Sequence, residues 1–189
     1  DIRYIDWNVT ARMDTPYVRQ YVEDREITAW FLLDISPSMD FGMEADKRAV
    51  AIDLAAVLAL LLTRHGNRIG ALLYTGQGRE RVIPARGGRD QVLRLINEMQ
   101  RQPRLPNAPF TNLAGMLNGG LRSIKKRSLV FVVSGFISEA GWERPLALLK
   151  QRHETLAVRI WDRRENELPD AGPLWLQDAE TGEQLLVDT

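Results

Sequence analysis

The sequence predicts an α/β domain with a largely parallel central sheet. Two runs, TAWFLL at 28–33 and LVFVV at 129–133, are apolar almost without a gap, as strands covered on both faces of a parallel sheet are. Segments with helical spacing of apolar residues lie between these and the other strand-like runs, so strands and helices alternate along the chain. Both apolar runs stop abruptly on polar residues, Asp34 in the first and Ser134 in the second. In open α/β sheets, ligands sit just beyond the carboxyl ends of the strands.

Composition narrows the classes. A length of 189 residues suits one domain. The chain is 44% hydrophobic and 26% charged, in the ordinary range for globular proteins. Its 25 basic residues balance 25 acidic ones, so no overall field draws nucleic acid or anionic lipid, and no nucleic-acid partner is expected. The absence of cysteine excludes thiol catalysis and thiolate metal ligation. The longest apolar stretch, 54–62, falls far short of the roughly 20 residues of a spanning helix. No membrane insertion by this segment is expected. No leader peptide is visible and residue 1 is Asp, so the chain is expected to lie within a longer one.

Taken in order, residues 1–26 are polar and mixed. Alternation over 17–23 predicts a strand at a sheet edge, and the charges from Arg3 to Glu26 read as a solvated network. Segment 1–27 is set apart from a domain at 28–189. A helix is expected over 44–65, with Val50, Leu54, Val57, Leu58 and Leu61 on its apolar side and alanines at 49, 51, 55, 56 and 59 allowing close packing. Gly66 and Asn67 end it, and His65 in its last turn suits the helix dipole. Strands are expected at 68–74 and 80–83, the second placed at an edge by Pro84. Gly76, Gly78, Gly87 and Gly88 read as turn residues, because no Lys-Ser or Lys-Thr follows them as in a phosphate loop. Helices are expected at 90–100, 112–124 and 141–151, and a strand at 156–161. A terminal hairpin is expected from 174–176 and 184–187. Trp30, Leu32, Leu58, Leu61, Val130 and Val132 are the expected core.

The chemistry concentrates after the first strand. Asp34, Ser36 and Ser38 place one carboxylate and two hydroxyls at alternate positions, a set of hard oxygens suited to magnesium, manganese or calcium. The same residues serve equally well as helix caps and loop ties. Thr111, in PFTNL at the head of a helix, and Ser134-Gly135, at the end of the second apolar strand, stand at corresponding places later in the chain.

This order resembles the von Willebrand factor A domain and its metal-ion-dependent adhesion site: a D-x-S-x-S loop, a later threonine, and a strand-end serine followed by aspartate. The stretches IDWNVTAR (5–12), LLDISPSMDFG (32–42) and LQDAETGEQLLVDT (176–189) narrow the resemblance to a bacterial family of unknown function, commonly encoded beside MoxR-type AAA+ ATPases. The resemblance covers nearly the whole chain. It implies a Rossmann-like A-type fold and a role in protein interaction or chaperone-like complex assembly, with a MoxR-type AAA+ ATPase as partner and no established catalysis. It also implies a divalent-metal site at Asp34, Ser36, Ser38, Thr111 and Ser134, taking Mg2+ or Mn2+. Gly135 stands where the aspartate is expected, so metal binding is expected to be weak, because one of two carboxylates that offset ion dehydration is gone. Asp40, Asp46 and Glu139 are the candidates to compensate, and Gly135→Asp is expected to restore binding. The implied location is the cytoplasm, with a membrane tether left to an upstream segment.

The rival reading is a metal-dependent hydrolase or phosphatase using Asp34. Aspartate-nucleophile phosphohydrolases need D-x-D, and Ser36 stands where the second aspartate belongs. A serine hydrolase would need G-x-S-x-G, which is absent, and no motif ties His65 or His153 to a serine. A third reading is a structural domain whose polar loops only cap helices.

Overall fold

The computed structural model describes residues 7–13, 26–42, 46–76, 80–104, 111–165, 167, 170, 172–177 and 183–188. The strand expected at 17–23 lies outside these residues. A short helix, α1 (Trp7–Met13), comes before the first strand of the sheet; no sequence pattern announces it. Seven residues make fewer than two full turns, too few for a helical period to stand out.

The centre of the molecule is β1 (Thr28–Asp34), buried from Ala29 to Asp34. It pairs in parallel with β2 (Arg68–Tyr74) on one side and β4 (Leu129–Ser134) on the other. β5 (Glu154–Arg159) extends the sheet in parallel beyond β4, and β3 (Arg81–Arg86) pairs antiparallel with β2. The order is β3-β2-β1-β4-β5, a mostly parallel sheet of Rossmann-like character. Pro84 sits in the edge strand β3, where its missing N–H costs no ladder bond on the outer side, and its carbonyl accepts from Gln91 Nε2. Opposite it the register shifts at Gly70. A Cβ there would stand 3.0 Å from both Ala85 N and Ile83 O, so the close backbone approach requires glycine.

The alternation of β1 sorts the two layers. Ala29, Phe31 and Leu33 face a core shared with α2 (Lys47–Arg64) and α3 (Arg89–Gln100). Within it Phe31 stacks on Phe131 with ring centroids 5.2 Å apart. Trp30 and Leu32 face the opposite core, formed with α4 (Leu113–Ser123) and α5 (Glu143–Arg152). A separate antiparallel hairpin, β6 (Pro173–Gln177) and β7 (Gln184–Asp188), matches the expected terminal hairpin.

Three expectations are corrected. Helix α2 starts at Lys47, where the Asp46 side chain accepts from Arg48 N, rather than at 44. Its buried stripe is Ala51, Ala55 and Ala59. Leu58 is only partly buried, and Leu61 is 47% exposed; Val50 and Val57 are exposed as well. Alanines at i, i+4 and i+8 let the helix backbone approach the sheet closely, and the bulkier residues are displaced to its flanks. The other four expected core residues, Trp30, Leu32, Val130 and Val132, are buried. The last strand of the sheet runs from Glu154 to Arg159, two residues earlier than expected. The pairing Leu129↔Glu154 through Ser134↔Arg159 fixes it; Ile160 N still donates to Ser134 O at 3.0 Å, and Trp161 lies past the ladder.

Candidate functional site

The parallel pairing of β1 with β4 brings the carboxyl ends of both strands to one edge of the sheet. The backbone then leaves β1 through Ile35 and Ser36 into a 3-10 turn, Pro37–Asp40, where proline presets the first helical position. Asp34 is 1% exposed, and both its carboxylate oxygens accept hydrogen bonds. Oδ1 takes Ser36 N at 3.0 Å and Ser36 Oγ at 2.6 Å; Oδ2 takes Ser134 Oγ at 2.7 Å, across a hundred residues of sequence. The carboxylate therefore orients two serines from behind.

The hydroxyls meet in front of it. Ser36 Oγ lies 3.1 Å from Ser38 Oγ and 3.0 Å from Thr111 Oγ1, and Ser38 Oγ lies 3.3 Å from Thr111 Oγ1. Ser36 commits its single proton to Asp34, so Ser38 and Thr111 are the donors in their contacts with it. Hydroxyl rotors turn freely enough to aim lone pairs at a cation instead. The spacing suits one: ligands about 2.1 Å from an octahedral ion are about 3.0 Å from each other along an edge. The residues thus fit a small divalent ion in donor type and spacing, with one carboxylate behind three neutral oxygens. Of the five residues singled out in the sequence, Ser36, Ser38 and Thr111 form the triangle and Asp34 with Ser134 braces it.

Thr111 is held by a second set of bonds that the sequence did not reveal. Its carbonyl accepts from Ser138 Oγ at 2.7 Å and from Glu139 N at 3.3 Å. Ser138 Oγ in turn accepts from Leu113 N at 3.0 Å, and Tyr74 Oη accepts from Asn112 N at 3.0 Å. Asn112 caps α4 through Gly115 N. A tyrosine at a strand's carboxyl end was a usable signal for Tyr74; Ser138, in an irregular loop, carried none. Beside the site Phe136 adopts a left-handed φ of 57°, its N–H bonded to Ser134 Oγ at 3.0 Å.

The proposed compensating acids are engaged elsewhere. Asp40 contacts Arg48 at 3.6 Å and Arg104 at 3.3 Å, and Asp46 pairs with Arg104 while capping α2. Burial pushes the Asp40 carboxyl above its usual range, against the opposing pull of Arg48 and Arg104. Glu139 is exposed and reaches the site through its backbone. Among the described residues, no three His, Cys, Asp or Glu side chains gather as a metal cluster.

Gly135 is buried, and its φ lies outside the left-handed region, so its backbone does not demand glycine. A Cβ there would meet Ile160 O at 3.6 Å, Lys47 Nζ at 3.6 Å and Met39 Sδ at 3.7 Å, all ordinary contacts.

The model of the family described as "Protein of unknown function DUF58" matches residues 1–189. The chain belongs to this family. As a DUF58 chain it is 39% identical over 183 residues to uncharacterized proteins of Mycobacterium tuberculosis and Mycobacterium bovis. The match covers 96% of this chain and 57% of theirs, so the chain spans little more than half the length of these relatives. Two solved structures share the fold. The conserved hypothetical protein BatB from Bacteroides thetaiotaomicron superposes with a TM-score of 0.58 at 13% identity, covering 86% of this chain and 80% of its own. An aerotolerance-related membrane protein from Bacteroides fragilis gives a TM-score of 0.59 at 14% identity, covering 86% and 81%. At such identities the likeness of this DUF58 chain to them concerns the fold. No helix among the described residues is long and apolar enough to cross a membrane.

Proposed function

We propose that this chain is a non-enzymatic protein-interaction module of the von Willebrand factor A type. In this reading Ser36, Ser38 and Thr111 hold a Mg2+ or Mn2+ ion weakly, Asp34 and Ser134 act from the outer shell, and an open position on the ion takes a carboxylate of a protein partner. The observation that supports it most is the hydroxyl triangle with sides of 3.0, 3.1 and 3.3 Å, drawn from segments more than seventy residues apart. Helix capping does not account for it: Ser36 precedes the 3-10 turn without capping it by its side chain, and Asn112, not Thr111, caps α4. The ion would supply a Lewis-acidic anchor; the chain's own residues supply its orientation and a dry surrounding. The partner that the sequence resemblance suggests is a MoxR-type AAA+ ATPase, in complex assembly or chaperone-like work. A cytoplasmic location goes with that partner, and any attachment to a membrane falls to sequence outside these 189 residues.

The hydrolase alternative gains no support from the geometry. Asp34 is buried with both oxygens occupied as acceptors, and a nucleophile would have to shed those bonds before attacking.

A pull-down of a MoxR-type AAA+ ATPase, with Mg2+ and with chelator, tests the reading. Retention should require Mg2+ and should be lost in a folded Ser36→Ala/Thr111→Val variant. Retention that ignores both the chelator and the double substitution would leave the hydroxyl site without a role in binding.

A further inference from the structure

Lys47 occupies a position that two effects make unfavourable for a cation. It stands in the first turn of α2, where the helix dipole opposes a cation, and it is 3% exposed, where burial opposes any charge. Its ammonium is held there by an ion pair to Glu165, from the 3-10 turn Arg163–Glu165 that follows β5. The Phe41 ring lies 5.8 Å from the ammonium. The other oxygen of Glu165, Oε2, is buried with no hydrogen-bond partner among the described residues. The pair is thus poorly compensated as a stabilising device. What distinguishes it is location: Lys47 Nζ lies 3.6 Å from the point where a Cβ of residue 135 would stand, directly after Ser134, the serine that braces Asp34.

We propose that Lys47, held by Glu165, is the residue that sets the cation affinity of the hydroxyl cluster. This rests on the reading of that cluster as a metal site. Glycine at 135 places no charge beside the cluster, and Lys47 places a positive one against the same space. A carboxylate introduced at 135 meets the ammonium first and is claimed as its partner, releasing Glu165. Gly135→Asp alone therefore does not restore metal binding, contrary to the expectation from charge counting. It restores binding only when the lysine charge is removed with it. Lys47 acts here as a specificity-determining residue, without itself touching the ion.

The test is a titration with Mn2+ of four proteins: the natural chain, Gly135→Asp, Lys47→Met/Glu165→Gln, and the triple variant. Each is first checked for a cooperative melt, with Lys47→Gln/Glu165→Gln held in reserve if the methionine form fails to fold. Gly135→Asp should change the Mn2+ dissociation constant by less than threefold in the natural background and tighten it at least tenfold in the background lacking the pair. Equal tightening in both backgrounds overturns the proposal and leaves the metal site standing, provided Thr111→Val abolishes the uptake. No Mn2+ uptake by any of the four overturns both. A second readout needs no metal: the drop in melting temperature caused by Glu165→Gln should shrink by at least half once Gly135→Asp is present, because Lys47 then has another partner. An undiminished drop shows that the new carboxylate does not reach Lys47, and overturns the proposal.

Discussion

Asp34 is a buried carboxylate whose environment consists largely of serine protons. Ser134→Ala removes the donor to Oδ2 and the acceptor for Phe136 N in one step. Hydrogen bonds to a charged group contribute about 1.5–3 kcal/mol each, so urea unfolding of this variant should show a loss in that range. A loss within error would mean that Asp34 draws its support elsewhere. His153 is a second buried group whose protonation has consequences. It is 5% exposed, and neither ring nitrogen has a hydrogen-bond partner among the described residues. Burial, and secondarily the charge of Arg152, lowers its pKa below the ordinary value of about 6.5. The folded state thus favours the neutral ring while the unfolded chain takes up the proton sooner. The stability this contributes is complete above pH about 6.5 and is lost as the pH falls toward the lowered folded-state pKa. Melting temperatures measured from pH 7.5 down to 5.5 should therefore fall, and His153→Phe should flatten that part of the profile.

At the scale of elements, α2 shows what an apolar pattern conveys and where it misleads. The helix is apolar around much of its circumference, so the large residues Val50, Val57 and Leu61 follow a helical period as well as the alanines do. Size favoured the wrong stripe; closeness of approach decided the right one. Leu61→Ala should accordingly cost under about 1 kcal/mol, as surface truncations do, whereas Ala55→Leu should cost about 1–3 kcal/mol by overpacking the helix against the sheet. Chemical denaturation of the pair decides between the two faces: a larger loss for Leu61→Ala would return the buried side to the leucines. The strands were easier to read. From Ala29 to Asp34 and from Val130 to Ser134 the two strands are buried on both faces, and that condition writes itself as a nearly unbroken apolar run. Among the described residues β5 pairs with one strand, and most of it is exposed, so its pairing with β4 rather than its composition sets its ends.

At the scale of the molecule, the candidate site was legible because this architecture gathers strand ends, and Asp34, Ser36, Thr111 and Ser134 each stood next to a readable strand or helix boundary. Lys47 and Glu165 were not legible, because nothing local signals that residues 118 positions apart meet beside Gly135. The same separation has a consequence in time. β1 needs β4 as its neighbour, and Asp34 waits for Ser134, a hundred residues later. At roughly 5–20 residues per second of synthesis, the strand at the centre of the molecule spends roughly 5–20 s without its second partner. Pairings of such long range also slow refolding relative to domains built from local contacts. A chain truncated after Ser128 should therefore aggregate or bind a hydrophobic dye, while one extended through Arg159 should refold cooperatively. Until the ribosome has delivered β4, the buried strand at the centre of the sheet is an unclosed edge, and whatever protects the nascent chain must cover it for that interval.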